Sequence, residues 1–273
     1  MIKQLSIMKY LIKTTDSGTL ETVDYTRVIY DTTDANVLIQ NTNSGGWVSY
    51  NFIDLGLPSG LLWADRNIGA ATPEDAGLYF QWGDTQGWTA EQVGVDKDFG
   101  NYKFSSGGTY TKYNETDGKR ELDLEDDAAH VIIGGNCKMP THRDFFELFS
   151  YTDIYLITET NQEINGILSG EPTNGLYNGF EWKTTTTENV IGIKFCKKND
   201  NSTFILIPYG GIVRGDSLLI NKNTQCHMWI PMINQDFIST PMRLSGDRDD
   251  VFIRFQLTRN YGCPIRAIKP INQ

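Results

Sequence analysis

An α+β domain behind a small N-terminal β segment is the expectation from this sequence, and three features carry it. Residues 1–46 alternate apolar and polar positions at the period of strands. From Trp47 onward, short apolar runs are separated by glycine- and asparagine-rich turns, the punctuation of a strand-rich chain. Helix-start signatures interrupt that pattern near Thr72, Asp126 and Thr141.

In chain order, QLSIMKYLI and TRVIYDTTDANVLIQ predict two or three strands separated by the turns TTDSGT and DTTDAN. NTNSGG, residues 41–46, reads as a linker, which divides the chain into a β segment (1–46) and a main domain (47–273). So few strands bury little apolar surface alone, so the segment is expected to pack on the main domain or to hold copies together. VSYNFIDL and LLWADRNI read as strands around GLPSG. In TPEDAGLYF, Thr72 offers an N-cap, Pro73 a first helical position, and Glu74 and Asp75 an acidic first turn. Residues 86–120 are polar and glycine/tyrosine-rich, hence a long loop region.

EDDAAHVIIGGNCKMPTHRDFFELF (125–149) holds five acids, two histidines and a cysteine. Asp126 or Asp127 fits an N-cap, and Gly134-Gly135 stops the helix that follows. Thr141 opens a second helix, with Asp144 completing a capping-box-like pattern and Phe145, Leu148 and Phe149 forming its apolar face. His130 and His142 are twelve residues apart with no metalloprotease spacing, so capping rather than metal or catalytic chemistry explains the cluster. After Val190 strands dominate: VIGIKFC, TFILIP, VFIRFQL and CPIRAIK.

Composition narrows the function. A formal net charge of −10 with no basic cluster disfavours nucleic acid and anionic lipid as partners. No run approaches the roughly 20 apolar residues of a transmembrane helix, and Lys9 and Lys13 interrupt any signal-peptide core. Membrane insertion and ordinary export are therefore not expected. Cys137, Cys196, Cys226 and Cys263 lie far apart with no CxxC spacing, which predicts reduced, buried thiols. Nothing in the pattern implies a cofactor, a metal or a nucleotide fingerprint.

FIDLGLPSGLLWADRNIGA, TPEDAGLYFQWGD and LEDDAAHVIIGGNCKMPTHRDFFEL, nearly in register, resemble the Fibrobacter succinogenes major paralogous domain family. The resemblance spans residues 50–270 and is strongest before residue 150. It implies a C-type lectin-like fold related to the formylglycine-generating domain, whose helix start MPTHRDFF echoes. It also implies a surface setting, since such domains recur in surface and secreted proteins of gut Bacteroidales and in virion proteins of their phages. Towards the C-terminus the pattern departs from the family: Met228-Trp229-Ile230-Pro231 replaces an aromatic-Trp-Ser-Ser stretch, and Pro264-Ile265-Arg266-Ala267-Ile268 stands where SVRPV is usual. That half carries the ligand-facing loops in C-type lectin-like proteins.

The candidate ligand residues are accordingly Tyr209, Arg214, Trp229, Arg243, Arg248 and Tyr261, with Tyr209, Trp229 and Tyr261 as a stacking surface for sugar rings. Core filling is the competing reading of the three aromatics. Arg214-Gly215-Asp216-Ser217 spells an integrin-binding tetrapeptide but reads better as a glycine turn. Lectin calcium motifs are out of register at Glu171-Pro172-Thr173-Asn174, and GDRDD (246–250) reads as a solvated loop. Formylglycine-generating chemistry at Cys226 and Cys263 lacks its arginine and serine context. The expectation is a non-enzymatic virion surface protein, a head or tail decoration or fibre. It would assemble with itself, as a trimer, and with other virion proteins, and would adhere to a host glycan or protein. A bacterial surface or secreted binding protein of the same family is the alternative.

Overall fold

The computed structural model describes residues 28–30, 37–40, 47–165, 180–181, 188–234 and 236–271. The strand expected in QLSIMKYLI, the linker NTNSGG and the Glu171-Pro172-Thr173-Asn174 motif lie outside these residues. Antiparallel sheets dominate the described chain. Val28–Tyr30 pairs with Val37–Gln40, which pairs with Trp47–Tyr50, so the β segment is hydrogen-bonded to the start of the main domain. A second sheet runs in the order Glu163–Asn165, Thr152–Thr158, Val190–Lys197, Asp200–Pro208. A third runs Phe180–Glu181, Asp250–Arg254, Pro241–Gly246, Cys226–Ile233. Smaller sheets join Leu219–Ile220, Ile212–Val213, Gly262–Cys263 and Phe80–Gln81, and join Ile268–Pro270, Leu61–Ala64 and Phe52–Ile53.

Helix is confined, among the described residues, to α1 (Ala128–Ile133), α2 (His142–Tyr151) and a 3-10 turn at Leu124–Asp126. The α+β, C-type lectin-like expectation is therefore corrected to a mainly β fold. Three local causes keep helix short. Gly134 sits at φ +80° and closes α1 after six residues. β-branched Thr152, extended at φ −116°, turns α2 directly into a strand. The helix expected at Thr72 does not form, because Leu78 N must reach Ile68 O at 2.8 Å. That leaves Thr72–Asp75 room only for a turn, closed by Asp75 N to Thr72 O and Thr72 N to Asp75 Oδ2.

α1 and α2 themselves follow the sequence. The capping box at Thr141 and Asp144 is complete, and Phe145, Leu148 and Phe149 are buried against Phe195 and Trp63. They belong to a core lying on one face of the third sheet, with Cys226, Met228, Ile230, Met242, Leu244, Val251 and Ile253. The other face carries Trp229 into a second core with Phe80, Trp82, Tyr113, Ile133 and Cys263. A strand covered on both faces reads as an apolar run rather than an alternation, which is how CHMWIPMI reads apart from His227. The polar side chains His227, Arg243 and Ser245 on the second face are accordingly buried too.

Candidate functional site

The 125–149 stretch folds as capping chemistry plus one ion cluster. Asp127, not Asp126, is the N-cap: its carboxylate accepts from Ala129 N and His130 N and, across the loop, from Met139 N at 2.8 Å. His130 Nδ1 lies 3.2 Å from Cys137 O, and His142 Nδ1 lies 3.3 Å from Met232 Sδ, so the two imidazoles are engaged separately. Asp123, Glu125 and Asp126 bring carboxylate oxygens within 4.8 Å of one another, the one such metal-like group among the described residues. Lys112 Nζ already stands among them, at 3.0, 2.8 and 2.6 Å. Burial pushes the Asp126 carboxyl up, but hydrogen bonds from Lys112 and Tyr113 more than offset it and hold it below the usual carboxylate range.

The six candidate ligand residues separate into two neighbourhoods. Tyr209 and Arg248 lie toward the first core. Tyr209 is buried, its hydroxyl has no partner among the described residues, and Arg248 is exposed on the adjoining 247–249 turn. In that turn Asp247 Oδ1 accepts from Asp249 N and Asp250 N. Trp229, Arg243, Tyr261 and Arg214 lie toward the opposite face. Trp229 is fully buried and donates from Nε1 to Phe80 O at 2.7 Å, so its ring offers no face to a sugar; it fills the core. Arg243 is its cross-strand neighbour. Half-buried Tyr261 belongs to the electrostatic surroundings of both Arg243 and Arg214. Arg214–Ser217 forms a turn joining Ile212–Val213 to Leu219–Ile220, closed by Ser217 N to Arg214 O and by an Arg214–Asp216 ion pair. A Cβ at Gly215 would meet Asn260 Nδ2 at 2.4 Å, so a larger residue there would have to displace the Asn260 side chain.

Strand periodicity adds residues that the sequence reading missed. On the same face, His227 opposes Ser245, Ser245 opposes Phe252, and Arg243 opposes Arg254. Reading HMW, RLS and FIR at a period of two gathers these side chains, and that was the available signal. Arg243 is 4% exposed. Its Nε donates to His227 Nδ1 at 3.4 Å, and its Nη1 has no partner among the described residues. Burial, then the Arg243 and Arg254 charges, push the His227 pKa down to about 3. Its imidazole is therefore neutral, with Nε2 bonded to Gln225 Oε1 at 3.2 Å. Arg254 lies over the Phe252 ring and stretches to Asp250 at 3.9 Å.

Two other buried arginines set the standard for satisfaction. Arg259 binds the carbonyls of Ile238, Lys112 and Tyr113; Arg266 binds Asn67 Oδ1 and the carbonyls of Ala64 and Leu206. Each ties remote segments together through its whole fork. Arg243 does not.

Elsewhere a cleft of about 250 Å³ is walled by Gly69–Ala71, Asp75–Gly77 and Thr89–Glu91, with Tyr79 and Lys222, and gathers none of the candidate residues. All four cysteines are buried with reduced thiols, and burial raises the pKa of Cys137 and Cys226 to about 12 and that of Cys196 to about 11. No helix among the described residues is long and apolar enough to cross a membrane. Compared with protein-family models, with curated proteins and with solved structures, the chain gives no match.

Proposed function

We propose that this chain is a non-enzymatic surface protein of a phage particle, of the family it resembles, that adheres to a host glycan or protein through its C-terminal half. The observation that carries the reading is the Arg243 face, a buried polar patch whose guanidinium is left with an open hydrogen-bonding position. A buried guanidinium usually has its donors occupied, so an unpaired one favours a partner from outside the fold. The arrangement around the other reactive side chains supports binding over catalysis. Thiols with raised pKa values are poor nucleophiles, Lys112 sits inside the acid cluster, and His130 and His142 face a carbonyl and a thioether.

In this reading residues 1–46 attach copies to one another, as a closed trimer, and to other virion proteins, and multiple copies raise the avidity of weak individual contacts. Deleting residues 1–46 removes the strands paired to Trp47–Tyr50. The truncated chain is expected to fold as a monomer that no longer joins particles. Light scattering and particle imaging test this; an oligomeric, particle-bound truncation would overturn the division of labour. A bacterial surface or secreted binding protein of the same family is the second reading, favoured instead if the gene encodes an export signal and lies away from capsid and tail genes.

A further inference from the structure

We infer that the ligand of the Arg243 face carries an acidic group, a carboxylate or sulfate on a saccharide, and that Arg243 is the residue that receives it. This rests on the adhesion reading and adds the ligand's chemical class. The argument is one of unsatisfied valence. A guanidinium has five donors in a planar fork, and burying it without partners is strongly unfavourable. Among the described residues, Arg243 has a 3.4 Å bond to a neutral imidazole and an orphaned Nη1. Its electrostatic neighbours are Cys263, Arg254 and Tyr261, which bring a second positive charge and no carboxylate. The chain has 34 acids, yet Arg243 forms no ion pair among the described residues, whereas Lys112 is given three carboxylates.

An acidic ligand group completes this arrangement. The fork matches two oxygens of a carboxylate or sulfate side by side, which a neutral hydroxyl cannot do. Arg254 is the cross-strand neighbour, with its side chain 38% exposed and only a loose ion pair to Asp250 at 3.9 Å. Nη1 is buried in this structure, so an acid reaches Arg243 only if side chains on this face move, and Arg254 is the partly exposed cross-strand neighbour there. Half-buried Tyr261, in the electrostatic surroundings of Arg243, is the aromatic side chain available to the ring of the saccharide. Because the molecule as a whole carries −10, long-range attraction does not bring an acid here; recognition depends on this local fork.

The test is titration of the full chain with glucuronic acid, with glucose 6-sulfate and with glucose, followed by calorimetry or ligand-observed NMR. Both acids, or either one, should bind at least tenfold more tightly than glucose. Binding by both marks the shared anionic chemistry, and binding by one identifies its source. Arg243→Gln should lower that affinity at least tenfold, and Arg254→Gln should lower it several-fold, while Arg143→Gln, on the exposed side of α2, leaves it unchanged. Should Arg243→Gln not fold, Arg243→Lys keeps the charge but not the fork, and the same tenfold loss is expected from it. Equal binding of glucose, or full acid binding by the Arg243 variants, would overturn the inference. Adhesion of the chain to host cells that persists after enzymatic removal of acidic sugars also overturns it while leaving adhesion intact. Acid binding without any cell adhesion instead removes the adhesion reading and leaves the site.

Discussion

The charge clusters around Asp126 and Arg243 are built on opposite terms. Asp126 is buried, and the fold brings it Lys112, Lys103 and the Tyr113 hydroxyl at 2.6–3.1 Å, so the cluster closes on itself. Arg243 is as buried, and the fold brings it a neutral histidine and leaves Nη1 open. A closed cluster holds loops in place, since each member's charge is met by another member. An open one contributes little to holding the chain together and leaves a donor for something outside it. Arg259 is the positive counterpart of Asp126, with its fork spent on the carbonyls of three residues.

Substitutions sharpen the contrast. Arg259→Met should cost the most, about 4 kcal/mol, because three carbonyls, one buried and two partly buried, lose their donor together. Chemical denaturation measures this, and a loss under about 1 kcal/mol would remove Arg259 as a structural tie. Asp126→Ala should cost about 2 kcal/mol by removing the acceptor of the Tyr113 hydroxyl and the carboxylate partner of Lys103, while Lys112 keeps Asp123 and Glu125. A thermal melt in which the variant matches the parent would contradict the closed-cluster description.

The His227 prediction concerns pH. The imidazole titrates near 6.5 when unfolded and at about 3 when folded, so below pH 6.5 the unfolded state takes a proton that the folded state refuses. Stability should therefore fall as pH drops from about 6.5 toward 3, at a limit of roughly 1.4 kcal/mol per pH unit from this group. His142, also depressed by burial, adds a part of its own. His227→Gln should flatten the slope between pH 6.5 and 4.5; an unchanged slope across that window would show that the histidine is not held neutral. The smallest effect belongs to Arg243→Met, expected within about 1 kcal/mol of the parent and stabilising if anything, since a buried cation with an open donor is replaced by an apolar chain. If it destabilised as much as Arg259→Met, the two arginines would be of one kind and the comparison would fail.

Much of the local structure was legible in the residues. Thr141 and Asp144 announced α2, Gly134 its predecessor's end, and Phe145, Leu148 and Phe149 the buried face, because capping and helical periodicity act within a few residues. The Arg214–Ser217 turn was legible for the same reason. Thr72 misled because its start signal was sound but the pairing of Leu78 with Ile68 left no room to continue. The candidate site was half legible: Arg243, Tyr261 and Arg214 were named and do share a neighbourhood, while Trp229 and Tyr209 were named for aromatic faces that the cores consume.

By itself, the sequence determined the caps, the turns, the strand-rich character after Val190 and an acidic chain without a membrane-length apolar run. Tertiary structure alone decided which way the third sheet faces, because a strand's period of two says which side chains share a face but not what covers that face. Both faces of Cys226–Ile233 are covered, and this is why Trp229 is core, His227 neutral and Arg243 enclosed. It also decided which carboxylates meet which cations: Lys112 reaches Asp126 across fourteen residues, and Arg243 has no such partner among the described residues.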